Sequence, residues 1–216
     1  MRDALKGMII GICALALLGA IATRLGLIVP ALPRPRGTDA WMLSRATGLL
    51  AYVVLGIDVI IGLLISTRRG DRLVPRAALV DIHGWLSPLA LAFVLAHGAL
   101  LLADDYVRFD AIDIAIPFMS SRWPAAIGIG VLAAYFMVVV HLSFALRKRI
   151  GVSTWRRIHY LSFVVFVLTT VHAISIGTDR GSPVFVTAYA LALVVVAMLA
   201  GVRLREARRK RRQAMT

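Results

Sequence analysis

The sequence contains little cysteine and little acidic charge. Its single cysteine, Cys13, excludes an intramolecular disulfide, a Cys-x-x-Cys redox pair, a covalent c-type haem and a thiolate-held iron–sulfur cluster. Any redox chemistry would therefore need a bound cofactor with other ligands. Asp and Glu number only 11 against 25 Lys and Arg, which gives a net charge of +14. The meaning of this excess depends on where the basic residues fall.

Charged residues of both signs are scarce beside the apolar ones. They make up 17% of the 216 residues, hydrophobic residues make up 60%, and the mean hydropathy is +0.84. Six apolar runs approach the ~20 residues that a helix needs to cross a bilayer. They are Gly7–Val29, Thr47–Ile65, Ile82–Ala103, Pro124–Leu146, Trp155–Ile176 and Pro183–Val202. The sequence therefore predicts an all-α polytopic membrane protein, a bundle of six transmembrane helices without room for a soluble catalytic domain.

The first apolar run has a second interpretation. Arg2 and Lys6 precede it, and Ala20-Ile21-Ala22 has the Ala-x-Ala form of a signal-peptidase site. The apolar run resumes after Arg24, however, and is long enough in total to span a membrane. We therefore favour an uncleaved helix.

The basic residues fall unevenly on the two sides of such a bundle. Eighteen of the 25 lie at the N-terminus, in the second and fourth loops and in the C-terminal tail. Because basic residues are retained on the cytoplasmic side, both termini are predicted to be cytoplasmic. The loop with Asp104, Asp105, Asp110 and Asp113 then faces outward. Topology and anionic lipid, in a cell membrane of the bacterial inner membrane type, explain the positive charge without nucleic acid.

All five histidines fall inside or at the edges of predicted spans, where ionisable side chains are rare and often functional. His83 and His97 have a spacing of 14 on the third span, so they share one helix face at a separation of ~21 Å. His159 and His172 have a spacing of 13 on the fifth span. The two spans run in the same direction, which places His83 level with His159 and His97 level with His172. His141, on the fourth span, has no partner.

Two imidazoles from facing helices can ligate both axial positions of a haem iron, and a b-type haem needs no cysteine. Catalytic zinc usually takes three protein ligands in one cluster, and no third ligand lies at a matching depth. The alternative is a purely structural role, in which the histidines are core residues that hydrogen-bond across helices. Four histidines in two depth-matched pairs favour the haem interpretation.

The spacing of 13 leaves His159 and His172 about 140° apart on an ideal helix. An irregular turn near His159, four residues past Trp155, would absorb this twist. A π-bulge near Thr169-Thr170 would also do so, because such bulges often occur at functional sites.

Short motifs surround these histidines. They are Ser44-Arg45-Ala46-Thr47-Gly48-Leu49-Leu50-Ala51-Tyr52, Ile82-His83-Gly84-Trp85-Leu86, Trp155-Arg156-Arg157-Ile158-His159-Tyr160 and Gly177-Thr178-Asp179. With the two histidine spacings, they make residues 41–202 resemble the ferric reductase-like transmembrane domain. Its relatives include the membrane parts of NADPH oxidases and the haem-binding membrane subunit of bacterial methionine sulfoxide reductase. The resemblance implies two stacked b-type haems, one ligated by His83 and His159 and the other by His97 and His172.

The resemblance also divides the chain. Residues 1–40 would form the first transmembrane helix and outer loop, 41–202 the haem-binding bundle and 203–216 a basic cytoplasmic tail. Family reductases usually continue into FAD- and NAD(P)-binding domains; the only Gly-x-Gly here, Gly128 with Gly130, lies inside a span and cannot open a Rossmann turn. Methionine sulfoxide reductase subunits lack a histidine corresponding to His83, which favours the ferric reductase and oxidase branch.

The predicted function is transmembrane electron transfer, from a cytoplasmic flavoprotein or quinol to an outer-side acceptor, as the electron-transfer subunit of an oxidoreductase. Haem propionates need cationic partners at the membrane surfaces, and four arginines are placed to supply them. They are Arg45 on the outer side and Arg76, Arg156 and Arg157 on the inner side. The inner three would otherwise only enforce topology. Gly84 and Gly98, each following a proposed ligand, would let a porphyrin approach the helix or would simply serve helix packing.

Two alternatives stay open. One is the haem subunit of a methionine sulfoxide reductase-type system. The other is a cofactor-free proton or metal-ion carrier with the intramembrane histidines as relay groups. Asp58, in the middle of the second span, favours the carrier, because buried carboxylates often serve proton pathways. The structural explanation of the same residue is a hydrogen bond between Asp58 and a neighbouring helix, or a snorkelling position.

Overall fold

The computed structural model describes residues 39–72, 74–105, 107–178 and 181–213, and over these residues the chain is helical with no β-strand. The helices are α1 (Asp39–Thr67), α2 (Arg76–Leu102), α3 (Ala111–Ala115), α4 (Pro124–Ala145), α5 (Arg147–Ile150), α6 (Val152–His159), α7 (Leu161–Ile176) and α8 (Pro183–Gln213). A 3₁₀ turn, Gly70–Arg72, joins α1 to α2. The all-α prediction is confirmed for this part of the chain. The predicted first span and its signal-peptidase motif lie outside the described residues.

Five helical segments in the described ranges are long and apolar enough to cross a membrane. They are α1, α2, α4, the α6–α7 segment Val152–Ile176 and the Pro183–Arg209 part of α8. Each contains one of the apolar runs that the sequence predicts as a span, apart from one residue at the end of two runs. This agreement follows from length and composition, which also underlie the prediction.

Two helices extend well beyond their apolar runs. α1 begins at Asp39, two turns before the predicted start at Thr47, and α8 continues through the basic segment as far as Gln213. Apolarity therefore marks only the stretch that suits hydrocarbon. The residues from 203 to 213 are mainly Arg, with single Leu, Glu, Ala, Lys and Gln residues, all of which have high helix propensity and allow the helix to continue.

The helices pack in a defined order. α2 packs along α1, α4 packs along α7, and α8 packs on α1. Over the described residues, α2 and α7 are not closely packed on one another, and α1 and α4 flank the space between them. α2, which carries His83 and His97, and α7, which carries His172, are therefore separated by a gap, and His159 lies at the end of α6.

An aromatic layer lies between the two histidine levels. Tyr52 of α1 stacks on Phe166 of α7 at 6.0 Å between ring centroids, and its edge meets Tyr189 of α8 at 4.9 Å. The Thr170 hydroxyl donates to the Phe166 carbonyl, and the Tyr52 hydroxyl lies 3.2 Å from the same Thr170 oxygen. Phe166 is only 1% exposed and both tyrosines are buried, so this layer is part of the described core.

The fifth predicted span is interrupted at Tyr160. α6 ends at His159 and α7 begins at Leu161, so the irregular turn expected near His159 is present. The alternative, a π-bulge near Thr169-Thr170, is wrong. Both threonines lie in regular α-helix, and their hydroxyls donate to the carbonyls four residues earlier, those of Val165 and Phe166.

Candidate functional site

The first histidine pair joins α2 to the end of α6. The ring centroids of His83 and His159 are 6.1 Å apart, and the ring planes are nearly perpendicular at 88°. A metal–imidazole bond of ~2 Å on each side of one ion also puts two ring centres about 6 Å apart. The rings border a small open cleft, lined by Val59, Gly62, Leu63, Ser162, Phe163 and Arg203 in addition to the two histidines.

A carboxylate holds His83. The Nδ1–H of His83 donates to Oδ1 of Asp58 at 2.6 Å, and the Ser87 hydroxyl donates to Oδ2 of the same carboxylate at 2.6 Å. Asp58 is buried, with 6% of its surface exposed. The expected hydrogen bond from Asp58 to a neighbouring helix is therefore present, and a histidine on that helix donates it.

In the second pair, peptide carbonyls hold both histidines. His97 Nδ1–H donates to the Ser44 carbonyl of α1 at 2.8 Å, and the Ser44 hydroxyl lies 3.1 Å from the same nitrogen. His172 Nδ1–H donates to the Ala126 carbonyl of α4 at 2.8 Å. The structure thus brings His83 and His159 into ring contact, and it holds His97 and His172 from the flanking helices α1 and α4.

Glycines on the flanking helices form the seats of three histidines. A Cβ added to Gly48 would lie 3.0 Å from the His97 ring, one added to Gly62 would lie 3.4 Å from the His83 ring, and one added to Gly130 would lie 2.6 Å from the His172 ring. A side chain at Gly130 would therefore displace His172. These glycines could not be identified from the sequence, because nothing in the residues around a helical glycine indicates which side chain packs against it.

The α1–α2 interface repeats with the same spacing as its two histidines. Ser44 and Gly48 hold and seat His97, and Asp58 and Gly62 do the same for His83. In both sets the acceptor precedes the glycine by four residues, so the two lie one turn apart on one face of α1. Ala126 and Gly130 of α4 have the same arrangement around His172.

His159 is held differently from the other three. Its ring lies 5.4 Å from that of Trp155 on the same helix, and Trp155 in turn contacts Phe144 at 6.1 Å. Within the described residues the ring forms no hydrogen bond. Because α6 ends at this residue, aromatic packing and the helix junction position the ring.

The hydrogen bonds fix which ring nitrogen is available. Carbonyl and carboxylate oxygens accept, so the Nδ1 atoms of His83, His97 and His172 carry the protons and their Nε2 atoms keep lone pairs. Metal-ligating histidines almost always donate the other ring N–H to a carboxylate or a backbone carbonyl. The donor set and the ring spacing of the first pair therefore fit a metal ion held by His83 and His159, and the available Nε2 atoms of His97 and His172 suit those two rings as ligands.

The four predicted arginine partners lie in different settings. Arg45 is half-buried beside Ser44, whereas Arg76 donates to the Ile65 carbonyl at 3.1 Å and pairs with Asp71 at 3.5 Å across the α1–α2 connection. Arg156 and Arg157 are exposed on α6. Sequence analysis assigned Arg203 only to the basic tail. The structure places it in the cleft of the first pair, where its guanidinium lies over the Tyr160 ring at 4.9 Å and donates to the Tyr160 hydroxyl.

Three other candidates lie apart from the pairs. No hydrogen bond or ring contact within the described residues links His141 to another histidine. Gly98 packs near Ile114, and the space beside Gly84 is open. Pro88 lies four residues after Gly84 inside α2, and a proline at that position cannot donate to the Gly84 carbonyl.

Comparison with known sequences shows the family. Residues 40–179 match a domain of unknown function, DUF8596, and the chain belongs to this family. The matched region contains both histidine pairs, their acceptors and the three glycine seats. No curated protein and no solved structure matched the chain.

Proposed function

We propose that this chain carries electrons across a membrane through two b-type haems. His83 and His159 would hold one haem, and His97 and His172 the other. The observation that carries the proposal is the arrangement of the two pairs: three of the four rings donate from Nδ1 to fixed acceptors, which leaves Nε2 of those rings free to ligate. The gap between α2 and α7 supports it further.

The residues of the chain have distinct tasks in this function. Asp58, Ser44 and Ala126 fix the tautomer and orientation of their histidines, and Gly48, Gly62 and Gly130 allow the rings to pack against the flanking helices. The Tyr52–Phe166 layer excludes water between the two levels. Haem b, when bound, supplies one-electron chemistry at a potential that its ligands and their hydrogen bonds tune.

The topology belongs to the same proposal. Residues 7–29 would form the first of six spans, in addition to the five described helices. Both termini would lie in the cytoplasm, and the His83 pair would be the one nearer the cytoplasm. The 18 basic residues on one side support this orientation, as in a multi-pass protein of a bacterial inner membrane.

Electrons would enter at the inner pair. The donor would be a cytoplasmic flavoprotein that docks on the basic α5–α6 surface, which includes Arg147, Arg156 and Arg157, or a quinol from the bilayer. The outer-side acceptor would be a ferric chelate, as in ferric reductases, or the oxidoreductase partner of a methionine sulfoxide reductase-type system. The chain would thus be the electron-transfer subunit of an oxidoreductase.

One contact favours the cofactor-free carrier as a second candidate. The buried Asp58 carboxylate is hydrogen-bonded to His83 at 2.6 Å, and such a pair can relay a proton as well as orient a ligand. The carrier gives no role to the gap between α2 and α7 or to a second pair without a carboxylate. The haem protein therefore accounts for more of the arrangement.

Sealed vesicles test the proposed function. Purified protein, offered haem during expression, is reconstituted around trapped ferricyanide, and a membrane-impermeant reductant is added outside. We expect ferricyanide reduction with wild-type protein and none with His83→Ala, because one pair then lacks a ligand. A colourless wild-type protein that moves protons or metal ions would support the carrier and overturn the proposal.

A further inference from the structure

The two pairs differ in the charge of the groups that hold them. His97 and His172 donate to neutral peptide carbonyls, whereas His83 donates to the Asp58 carboxylate. This contrast lies inside one repeated interface, since Ser44 and Asp58 occupy equivalent positions on α1, one in each repeat. The difference therefore lies in the accepting group: the peptide carbonyl of Ser44 in one repeat and the side-chain carboxylate of Asp58 in the other.

Asp58 has the hydrogen bonds of an ionised carboxylate. Both of its oxygens accept, one from His83 Nδ1–H and one from the Ser87 hydroxyl. In the described part of the chain, Asp58 is hydrogen-bonded to the His83 ring and forms no ion pair with a Lys or Arg. The negative charge is therefore directed at the imidazole.

A carboxylate on the far nitrogen makes an imidazole a more basic, more electron-donating ligand. Such a ligand stabilises the oxidised iron and lowers its potential, because ligand identity and hydrogen bonding set haem potentials. Arg203, in the same cleft, acts in the opposite direction, but its guanidinium lies over Tyr160 and makes no described contact with either histidine.

Resting on the proposed function, we propose that Asp58 is a positioning residue that sets the redox order of the two sites. Through His83 it gives the haem of the His83 pair the lower potential. Electrons would then move downhill from the inner to the outer site. Ser87 tempers the effect, because its hydroxyl shares the charge of Oδ2.

The test compares Asp58→Asn with Glu206→Gln in redox titrations of the haem-loaded protein. Asp58→Asn keeps an acceptor oxygen of the same size and removes the charge. Glu206→Gln removes one carboxylate from the same end of the molecule, where it pairs with Arg69 and touches no histidine. Titrations in the His172→Ala background, which keeps the His83 pair, assign the component that shifts.

With Asp58→Asn we expect the lower midpoint potential to rise by the equivalent of at least a tenfold change in equilibrium constant, about 59 mV for one electron. The higher potential and the Glu206→Gln titration should stay unchanged. If Asp58→Asn binds haem and both midpoint potentials are unchanged, the role of Asp58 is wrong but the proposed function stands. If the wild-type protein binds no haem, the proposed function itself is wrong. If Asp58→Asn does not fold, Ser87→Ala replaces it. That variant should lower the same component, and no shift would overturn the inference.

Discussion

The two halves of the bundle hold their histidines in different ways. On the α1–α2 side, His83 and His97 share one arrangement, because acceptor, glycine and histidine all recur with the same spacing. On the α4–α7 side, His172 has an acceptor and a glycine, whereas His159 lies at the junction of two helices. A spacing of 14 is close to four full turns, so one interface serves two levels. A spacing of 13 is not, so the helix must break.

This difference predicts unequal behaviour of the two pairs. The His97 pair has two carbonyl acceptors and two close glycine seats. In the His83 pair, the Asp58 carboxylate holds His83, whereas aromatic packing at the helix junction positions His159. This pair also borders a cleft. The first should fail through steric change and the second through changes in charge.

The largest effect is expected from His172→Ala. It removes one ligand of the outer site, so that haem should be lost or become five-coordinate while the inner one stays bis-histidine. Absorption spectra of the oxidised and reduced protein, with the haem-to-protein ratio, measure this. Loss of both haems from a variant that still inserts and folds would show that the sites are not separate.

Gly130→Ala should have nearly the same effect by a different route. The new Cβ would lie 2.6 Å from the His172 ring, so the ring must move, at a cost of about 1–3 kcal/mol for overpacking. We expect loss of outer six-coordinate haem. Gly62→Ala is the matched control, because its Cβ would lie 3.4 Å from His83. Equal damage from both would refute the steric distinction.

Arg203→Met should act on the inner site only and more mildly. If the guanidinium binds a haem propionate there, the substitution removes a charge-assisted hydrogen bond worth ~1.4 kcal/mol. The inner haem should then transfer to an apoprotein acceptor about ten times faster. Arg205→Met, two residues further along α8, is the control. Identical transfer rates for wild type and both variants would exclude this role for Arg203.

The smallest effect is expected at the docking surface. Arg156→Glu with Arg157→Glu should slow haem reduction by a soluble donor several-fold at low salt, because both side chains are exposed and screening acts over ~8 Å at physiological ionic strength. Stopped-flow measurements against salt test this. Full haem reduction by quinol alone, without salt dependence, would show that no soluble donor needs to dock on this surface.

The sequence contains much of the fold and part of the site. Five long apolar helices follow from their apolar runs, and the contact of His83 with His159 follows from the predicted alternating direction of the spans. The glycine seats could not be predicted, since which helix packs on which ring depends on tertiary contacts. Arg203 escaped notice for a related reason: it is the first cation of a basic segment, and only the continuation of α8 brings it to the cleft.

The most direct test of the central claim is the amount of haem per chain, combined with a redox titration of the purified protein. If each histidine pair holds one haem, the purified protein should contain two b-type haems, both six-coordinate, with two separate midpoint potentials. One haem per chain, a single potential with one ligand set, or a colourless protein after growth with haem would contradict it.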